Sequence, residues 1–389
     1  MNQSIKKLYQ IAENEERIIL GLMSGTSADG LDISLSRIKS SGMKTEVKVL
    51  EFQSIKYSDR FKKEVQRRLF DANLPVSLAL KLQEKIQSEW VRIIQDQFAR
   101  WGYQNNEIDL IASHGQTLFH SPSTIDEATT TLQIVDGDYL ASKLGIITIS
   151  DFRQKHITAG LEGAPLAPMA EQLLFASIKK PIVLLNLGGI ANFTILSESS
   201  EPEIPFSTDA GPANTLIDAA VRHYFEDEPF DRSGEIAGSG QVNSKLFEAL
   251  KNHPFFRNET PKSTGPEEFN MDWVLAEVTE SGFSGTPADL IATLTIFSAW
   301  GIASEIRKEI GIKAFDIYVS GGGWHNHTLM FHLKKELPKC RFYSSEKLDM
   351  DPDAKEAVLF SILANETVSG NGWKLPDGSR ITLGKISLP

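Results

Sequence analysis

The chain has almost no cysteine. A single one, Cys340, in 389 residues excludes an internal disulfide framework and a cysteine-cluster metal site, and fits a reducing compartment. Cations are also in the minority: 40 Lys and Arg against 51 Asp and Glu leave a formal net charge of −11. Binding nucleic acid by counterion release needs clustered Lys and Arg, so no nucleic-acid partner is expected. No apolar run reaches the length of a membrane span, and the polar start (Asn2, Gln3, Lys6, Lys7, then Glu13, Glu15, Glu16) lacks a signal-peptide core. The expectation is a cytoplasmic protein with no membrane partner. A G-x-x-x-x-G-K-[ST] loop is missing too, which excludes a P-loop followed by a helix. The length is enough for two domains, each with its own core.

What is present begins with Gly21 to Asp32. The apolar run Arg17 to Met23 enters a turn of Gly, Ser, Thr and Asp, and a strictly alternating run leaves it (Leu31, Ile33, Leu35 between Asp32, Ser34, Ser36). This reads as strand, tight turn, strand. Glycine lets backbone N–H groups come close to phosphate oxygens, and Asp29 or Asp32 could hold a hydrated Mg²⁺ there. The same residues would also make an ordinary Gly/Ser hairpin.

The second half repeats the device. An apolar run over 181–187 meets Gly188-Gly189 and a short run over 191–196, and the strand beginning at Ile317 ends in Gly321-Gly322-Gly323 before a helix at 326–337. Two halves that each open with strand, glycine turn, strand imply a duplicated architecture around a nucleotide cleft. The pattern matches the actin, sugar-kinase and Hsp70 class: α/β, two-domain, actin-like (ribonuclease H-like), with duplicated βββαβαβα units around an ATP cleft.

Along the chain, a polar helix outside the core at 3–14 precedes strands at 17–23, 31–38 and 46–52 and helices near 59–71 and 76–100. A strand at 109–113 ends at His114, a helix runs to Leu144, and a strand at 146–149 leads to Asp151. The segment 151–165 reads as a loop before a helix at 166–176. Strands at 181–187, 191–196 and 204–208 and a helix at 214–225 follow, then loops and short helices over 226–286, a stretch richer in Gly, Pro, Ser and charge. Helices near 287–309, 326–337 and 353–367 complete the pattern. Domain I is drawn as 1–143, with 375–389 returning to it, and domain II as 144–374.

Read together, the longer motifs resemble the anhydro-N-acetylmuramic acid kinase family. They are Met23-Ser24-Gly25-Thr26-Ser27-Ala28-Asp29-Gly30, Ser113-His114-Gly115-Gln116-Thr117, Asp151-Phe152-Arg153 and Gly163-Ala164-Pro165-Leu166. Asn186 to Asn192, Pro261 to Gly265, Ala292 to Thr295 and Gly321 to Gly323 follow in the family's order. The similarity runs from about Ile18 to Lys385.

The resemblance implies an ATP-dependent kinase of amino-sugar and peptidoglycan recycling, with ATP and Mg²⁺ as cofactors and a homodimeric state. ATP phosphorylates O6 of 1,6-anhydro-N-acetylmuramic acid while water opens the bridge at C1, giving N-acetylmuramic acid 6-phosphate. ATP would lie against Gly25, Thr26, Ser27, Ala28, Asp29, Gly30, Leu31 and Asp32, and against Gly188, Gly189, Gly321, Gly322 and Gly323, with Asp29 toward the metal. The sugar would meet Ser113, His114, Gln116, Gly163, Ala164 and Pro165, although a lone histidine like His114 is more often structural.

Several positions depart from the family. His156 stands where the family has an aspartate acting as base, so the catalytic candidates are His156, Asp151 and Glu162. Asp209 to Asn214 carries two alanines in place of a threonine and a glycine, with Asn214 read equally as helix cap or ligand contact. Pro266 replaces an arginine after the Lys262 loop, where Lys262 is either an exposed lysine or one that reaches a phosphate or sugar hydroxyl. Glu356 supports a loop or lies on a solvated face. A kinase of another sugar and a weakly catalytic nucleotide-binding sensor remain as alternatives.

Overall fold

The computed structural model describes residues 2–123, 127–178, 181–311, 313–348 and 351–389. It divides into two compact units, Met1–Ile178 with Ser199–Ile204 and Met350–Pro389, and Lys179–Glu198 with Pro205–Asp349.

The first unit opens with α1 (Gln3–Glu13), capped by Asn2, whose Oδ1 accepts the Ser4 N–H at 2.8 Å. The sequence reading kept this helix outside the core, but Ile11 is buried in it. Strands β1 (Glu16–Ser24), β2 (Gly30–Lys39) and β3 (Glu46–Lys56) form an antiparallel meander. Helix α2 (Asp59–Gln66) starts at Ser58, and α3 (Val76–Trp101) ends at Gly102 in the left-handed region, the usual helix stop. The chain continues through β4 (Leu110–Ser121), β5 (Thr130–Ile134), α4 (Gly137–Leu144), β6 (Ile147–Ser150), α5 (Phe152–Thr158) and α6 (Ala167–Leu174). Three features differ from expectation. Strand β4 does not stop at His114 but runs on to Ser121, because β5 pairs with its second half. That partner strand was not foreseen. The 151–165 segment is not all loop either, since α5 occupies 152–158 and buries Phe152 and His156.

The second unit contains β7 (Ile182–Leu187), β8 (Ile190–Leu196), β9 (Phe206–Pro212) and α7 (Thr215–Tyr224). Short helices α8 (Glu235–Ser239), α9 (Ser244–Leu250) and α10 (Met271–Glu280) build an aromatic layer with Phe255, Phe256 and Phe269. Helix α11 (Pro287–Ile310) begins with a capping box between Thr286 and Asp289. By length and composition α11 could cross a membrane, which the reading of apolar runs had excluded. In this fold it is the central helix of the unit and most of it is buried. Then come β10 (Asp316–Ser320), α12 (His327–Glu336) and β11 (Arg341–Ser344).

The chain then returns to the first unit with α13 (Pro352–Ser369), the small pair β12 (Trp373–Lys374) and β13 (Arg380–Ile381), and β14 (Lys385–Ser387). Strand β14 pairs antiparallel with β6, Ile386 opposite Ile149. The division drawn at 143/144 is therefore displaced. Strand β6 is in parallel register with β4, Leu110 opposite Ile147, and α6 shares a core with α13 through Met169, Leu173, Val358 and Ile362. Those contacts place 144–178 and 350–374 in the first unit.

Each unit has one main sheet, ordered β3-β2-β1-β4-β6 (continuing to β14) and β9-β8-β7-β10-β11. In both, the first three strands are paired antiparallel and the third, fourth and fifth are paired parallel. That is the ribonuclease H-like topology, present twice, as in actin-type ATPases.

Candidate active site

In sheets with parallel strands, ligands gather at the strands' carboxyl ends. In the first unit those ends carry the β1–β2 hairpin, the middle of β4 and the residue after β6. Register brings them together: Leu22 is opposite Ser113, and Ser113 is opposite Ser150. His114 and Asp151 each follow directly on one of these paired serines.

The hairpin is fastened from inside. The Gln116 side chain, expected on the sugar side, is buried and donates from Nε2 to the Gly25 carbonyl at 3.1 Å. Its Oε1 lies 2.7 Å from the Ser24 hydroxyl, which is also 2.8 Å from the Gly30 carbonyl. Gly30 is needed for packing, since a Cβ there would run into the Ile55 carbonyl of β3. Gly25 faces open space, and Thr26, Ser27 and Asp29 are exposed, so this is the part of the turn a ligand can reach. Ala28 and Leu31 are buried and can offer only backbone. The Asp29 carboxylate is paired with Lys62 of α2 and its pKa is lowered, first by that hydrogen bond and then by Ser27. It can serve a metal only if Lys62 releases it. Among the described residues no group of three His, Cys, Asp or Glu is placed to hold a metal ion.

On β4, Ser113 is buried and its Oγ has no partner among the described residues. The His114 ring is buried, 4.8 Å from Phe360. Arg153 donates from Nε to its Nε2 at 3.3 Å, and its Nδ1 lies 3.0 Å from the Gly115 carbonyl. These partners select the neutral Nδ1–H tautomer, and burial and then Arg153 push the pKa down to about 3. His114 is a fixed neutral ring, donating from Nδ1 and accepting at Nε2, not an acid–base group.

The three catalytic candidates lie apart in character. His156 is buried, its pKa pushed down to about 4, chiefly by burial. Its Nδ1 accepts the Gly163 N–H at 2.9 Å, so the ring proton sits on Nε2. Glu162 is exposed and accepts the Ser123 N–H at 3.0 Å together with the hydroxyls of Ser123 and Thr129. Those bonds hold its pKa low. Asp151 stands in the left-handed region (φ 54°, ψ 55°) at the start of α5 and does not cap it. Backbone strain of this kind in a non-glycine residue is costly and concentrates at functional sites. Burial raises its pKa against the pull of Lys385. Of the loop expected to meet the sugar, Gly163 is buried and Pro165 is exposed.

In the second unit three segments converge on Leu187. A Cβ at Gly321 would lie 2.6 Å from the Leu187 carbonyl, and one at Gly323 2.7 Å from the Leu187 Cβ. A Cβ at Gly189 would meet Thr215 Oγ1 at 2.8 Å. These three glycines are packing requirements. Gly188 has no close neighbour and Gly322 nothing within 4 Å of an added Cβ, and of the five glycines only Gly323 is buried. Asn214 makes no side-chain cap. Instead its Nδ2 donates to the carbonyls of Gly188 at 2.7 Å and Leu187 at 3.2 Å, bracing the glycine turn. Asp209 accepts the Thr264 N–H at 2.9 Å, which joins the Pro261–Gly265 segment to β9. Lys262 does not reach outward: its Nζ lies 2.9 Å from fully buried Glu305 and donates to the Phe255 carbonyl at 2.8 Å.

Sequence reading left Glu356 undecided and missed Arg153. Glu356 reaches solvent yet is closely surrounded by protein; that environment raises its pKa against Lys355, and Asp32 and Glu171 raise it further. Arg153 was readable only as part of a motif, because nothing in the sequence pairs it with His114.

Two ribonuclease H-like units, with open glycine turns at strand ends in both and a carboxylate beside a fixed histidine in one, define the fold class used by ATP-dependent sugar kinases. The family model for anhydro-N-acetylmuramic acid kinase matches residues 17–384. The proteins of that name from Pseudoalteromonas atlantica and Pseudoalteromonas translucida are 42% and 39% identical, each over the whole of both chains. The one from Caldanaerobacter subterraneus is 36% identical, over 98% of this chain and all of its own. The chain belongs to the anhydro-N-acetylmuramic acid kinase family, a family of sugar kinases.

Proposed function

We propose that the protein phosphorylates 1,6-anhydro-N-acetylmuramic acid at O6 with ATP while water opens the anhydro bridge, releasing N-acetylmuramic acid 6-phosphate and ADP. It does so as a cytoplasmic homodimer in amino-sugar recycling. The observation that carries the reading is Asp151: a strained, half-buried carboxylate of raised pKa at the end of β6, in register beside His114.

In this scheme Asp151 takes a proton from water, the water oxygen bonds to C1, and the C1–O6 bond breaks. O6 accepts the γ-phosphoryl group and the bond to the β-phosphate oxygen breaks. A raised pKa makes the carboxylate a stronger base near neutrality. Arg153, oriented by neutral His114, holds the sugar. Backbone N–H groups at the glycine turns, around Gly25 in the first unit and separately around Gly188 and Gly322 in the second, are preorganised dipoles of the kind that stabilises developing charge on phosphate oxygens. Gly163, Ala164 and Pro165 line the sugar side, and His156 positions them through Gly163. Mg²⁺ suits the hairpin's hard carboxylate donors, Asp29 and Asp32, and when bound it neutralises phosphate charge.

ADP release measured with and without the anhydro sugar tests the reading; release that the sugar does not stimulate overturns it. The engaged lone pair of His156 favours one alternative, a kinase for a sugar whose 6-hydroxyl is already free. ADP release stimulated by the open sugar but not by the anhydro form would establish that alternative.

A further inference from the structure

Helix α2 has a second face that the reaction does not use. Arg60, Lys63 and Arg67, at i, i+3 and i+7, share one side, with Arg68 beside them, while Val65 is buried on the other. The turn into α3 supplies Asp71, Leu74 and Pro75, the first turn of α3 supplies Leu78, and together these residues line a groove of about 570 Å³. That is the size of a small-molecule site.

The charges there are poorly matched. Two carboxylates face the groove. Glu64 is already paired with Lys85 and lies 3.9 Å from Arg68, and Asp71 accepts the Asn73 N–H at 2.9 Å. Arg60, Lys63 and Arg67 have no carboxylate within ion-pair distance among the described residues. Like charges held in one groove attract counter-ions. In a chain of net charge −11 this concentration of unpaired cations is unusual. Leu74, Pro75 and Leu78 add an apolar wall for a neutral body.

The same helix holds the β1–β2 hairpin. Lys62 pairs with Asp29, and Gln66 Nε2 donates to the Ser27 carbonyl at 2.6 Å. We infer that the groove binds a small polyanion, phosphorylated or polycarboxylated, which acts as an effector by shifting α2 and with it the hairpin. The binding site stands on α2 alone; the effector role rests on the reading of the hairpin as facing ATP.

Calorimetric titration of the full chain with pyrophosphate and with glucose 6-phosphate, at about 150 mM salt, tests it. The expected result is one saturable site that the R60S/R67S double variant weakens tenfold or more, with an unchanged melting temperature. The G322A variant, altered on the nucleotide side, should retain it. Hydrogen exchange over 25–32 should respond to pyrophosphate in the wild type and not in R60S/R67S. Absence of saturable binding, equal binding by the double variant, or binding only to phosphatidylserine vesicles would overturn the site. An intact site with no response over 25–32 would overturn the effector role. Failure of the kinase reading alone would leave the titration unaffected.

Discussion

The N–H of Gly163 donates to Nδ1 of His156 at 2.9 Å. That bond occupies the lone pair a base would need and leaves the ring proton on Nε2, so His156 braces the loop that carries Gly163.

If so, H156N, whose Oδ1 can still accept the Gly163 N–H, should keep turnover within a few-fold of wild type. D151N should lose 10²-fold or more, the scale of a missing general base. Steady-state kinetics of both variants, with thermal melts to confirm folding, check this. Loss of turnover in H156N with D151N nearly unaffected would return the role to His156.

Acid stability gives a second handle. The folded pKa of His156 is about 4, below the ordinary value near 6.5. The unfolded chain therefore binds the proton first, and stability present above pH 6.5 is lost as pH falls toward 4. Asp218, pushed up to about 6, works in the opposite direction between its ordinary value and 6, so only a difference between variants isolates the histidine. Wild type should lose a few kcal/mol relative to H156N between pH 7 and pH 4, read from urea denaturation at each pH. Parallel curves would mean that His156 is not held neutral.

Gly322 and Gly321 are neighbours with different duties. G322A should fold with an unchanged melting temperature, since nothing lies within 4 Å of its Cβ, yet raise KM for ATP about tenfold by crowding the phosphate face. G321A should destabilise the protein, because Gly321 has φ +85° and a Cβ would strike the Leu187 carbonyl. Melting curves and ATP kinetics separate the two.

Much of the fold could be read from period and punctuation. The alternation of Leu31, Ile33 and Leu35 and the glycines after Leu187 and Ser320 point to strands and turns that the structure contains. What the sequence could not show were pairings between distant segments. β4 continues past His114 because β5 comes to pair with it. Likewise β6 and α6 join the first unit through β4 and α13, long-range partners that no local pattern encodes. The same limit applied to side chains: Gln116 faces the hairpin, His156 is closed by Gly163, and Asn214, readable as helix cap or ligand contact, braces the glycine turn.

Lys262 shows the consequence most clearly. As a loop lysine it reads as exposed or phosphate-seeking, but its Nζ is paired with buried Glu305 and lies 4.0 Å from the centre of the Phe255 ring. K262M should cost about 2–4 kcal/mol by leaving Glu305 with Lys308 alone, near the range for breaking a buried pair. KM for ATP should change less than about twofold. A tenfold rise in KM with normal stability would instead place Lys262 on the phosphates.

The most direct test of hydrolytic phosphorylation is product analysis in ¹⁸O-labelled water, sampled before solvent exchange at the anomeric carbon. With ATP and 1,6-anhydro-N-acetylmuramic acid, one ¹⁸O should appear at C1 of the 6-phosphorylated sugar for each ADP released. ADP formation without labelled sugar phosphate would contradict it.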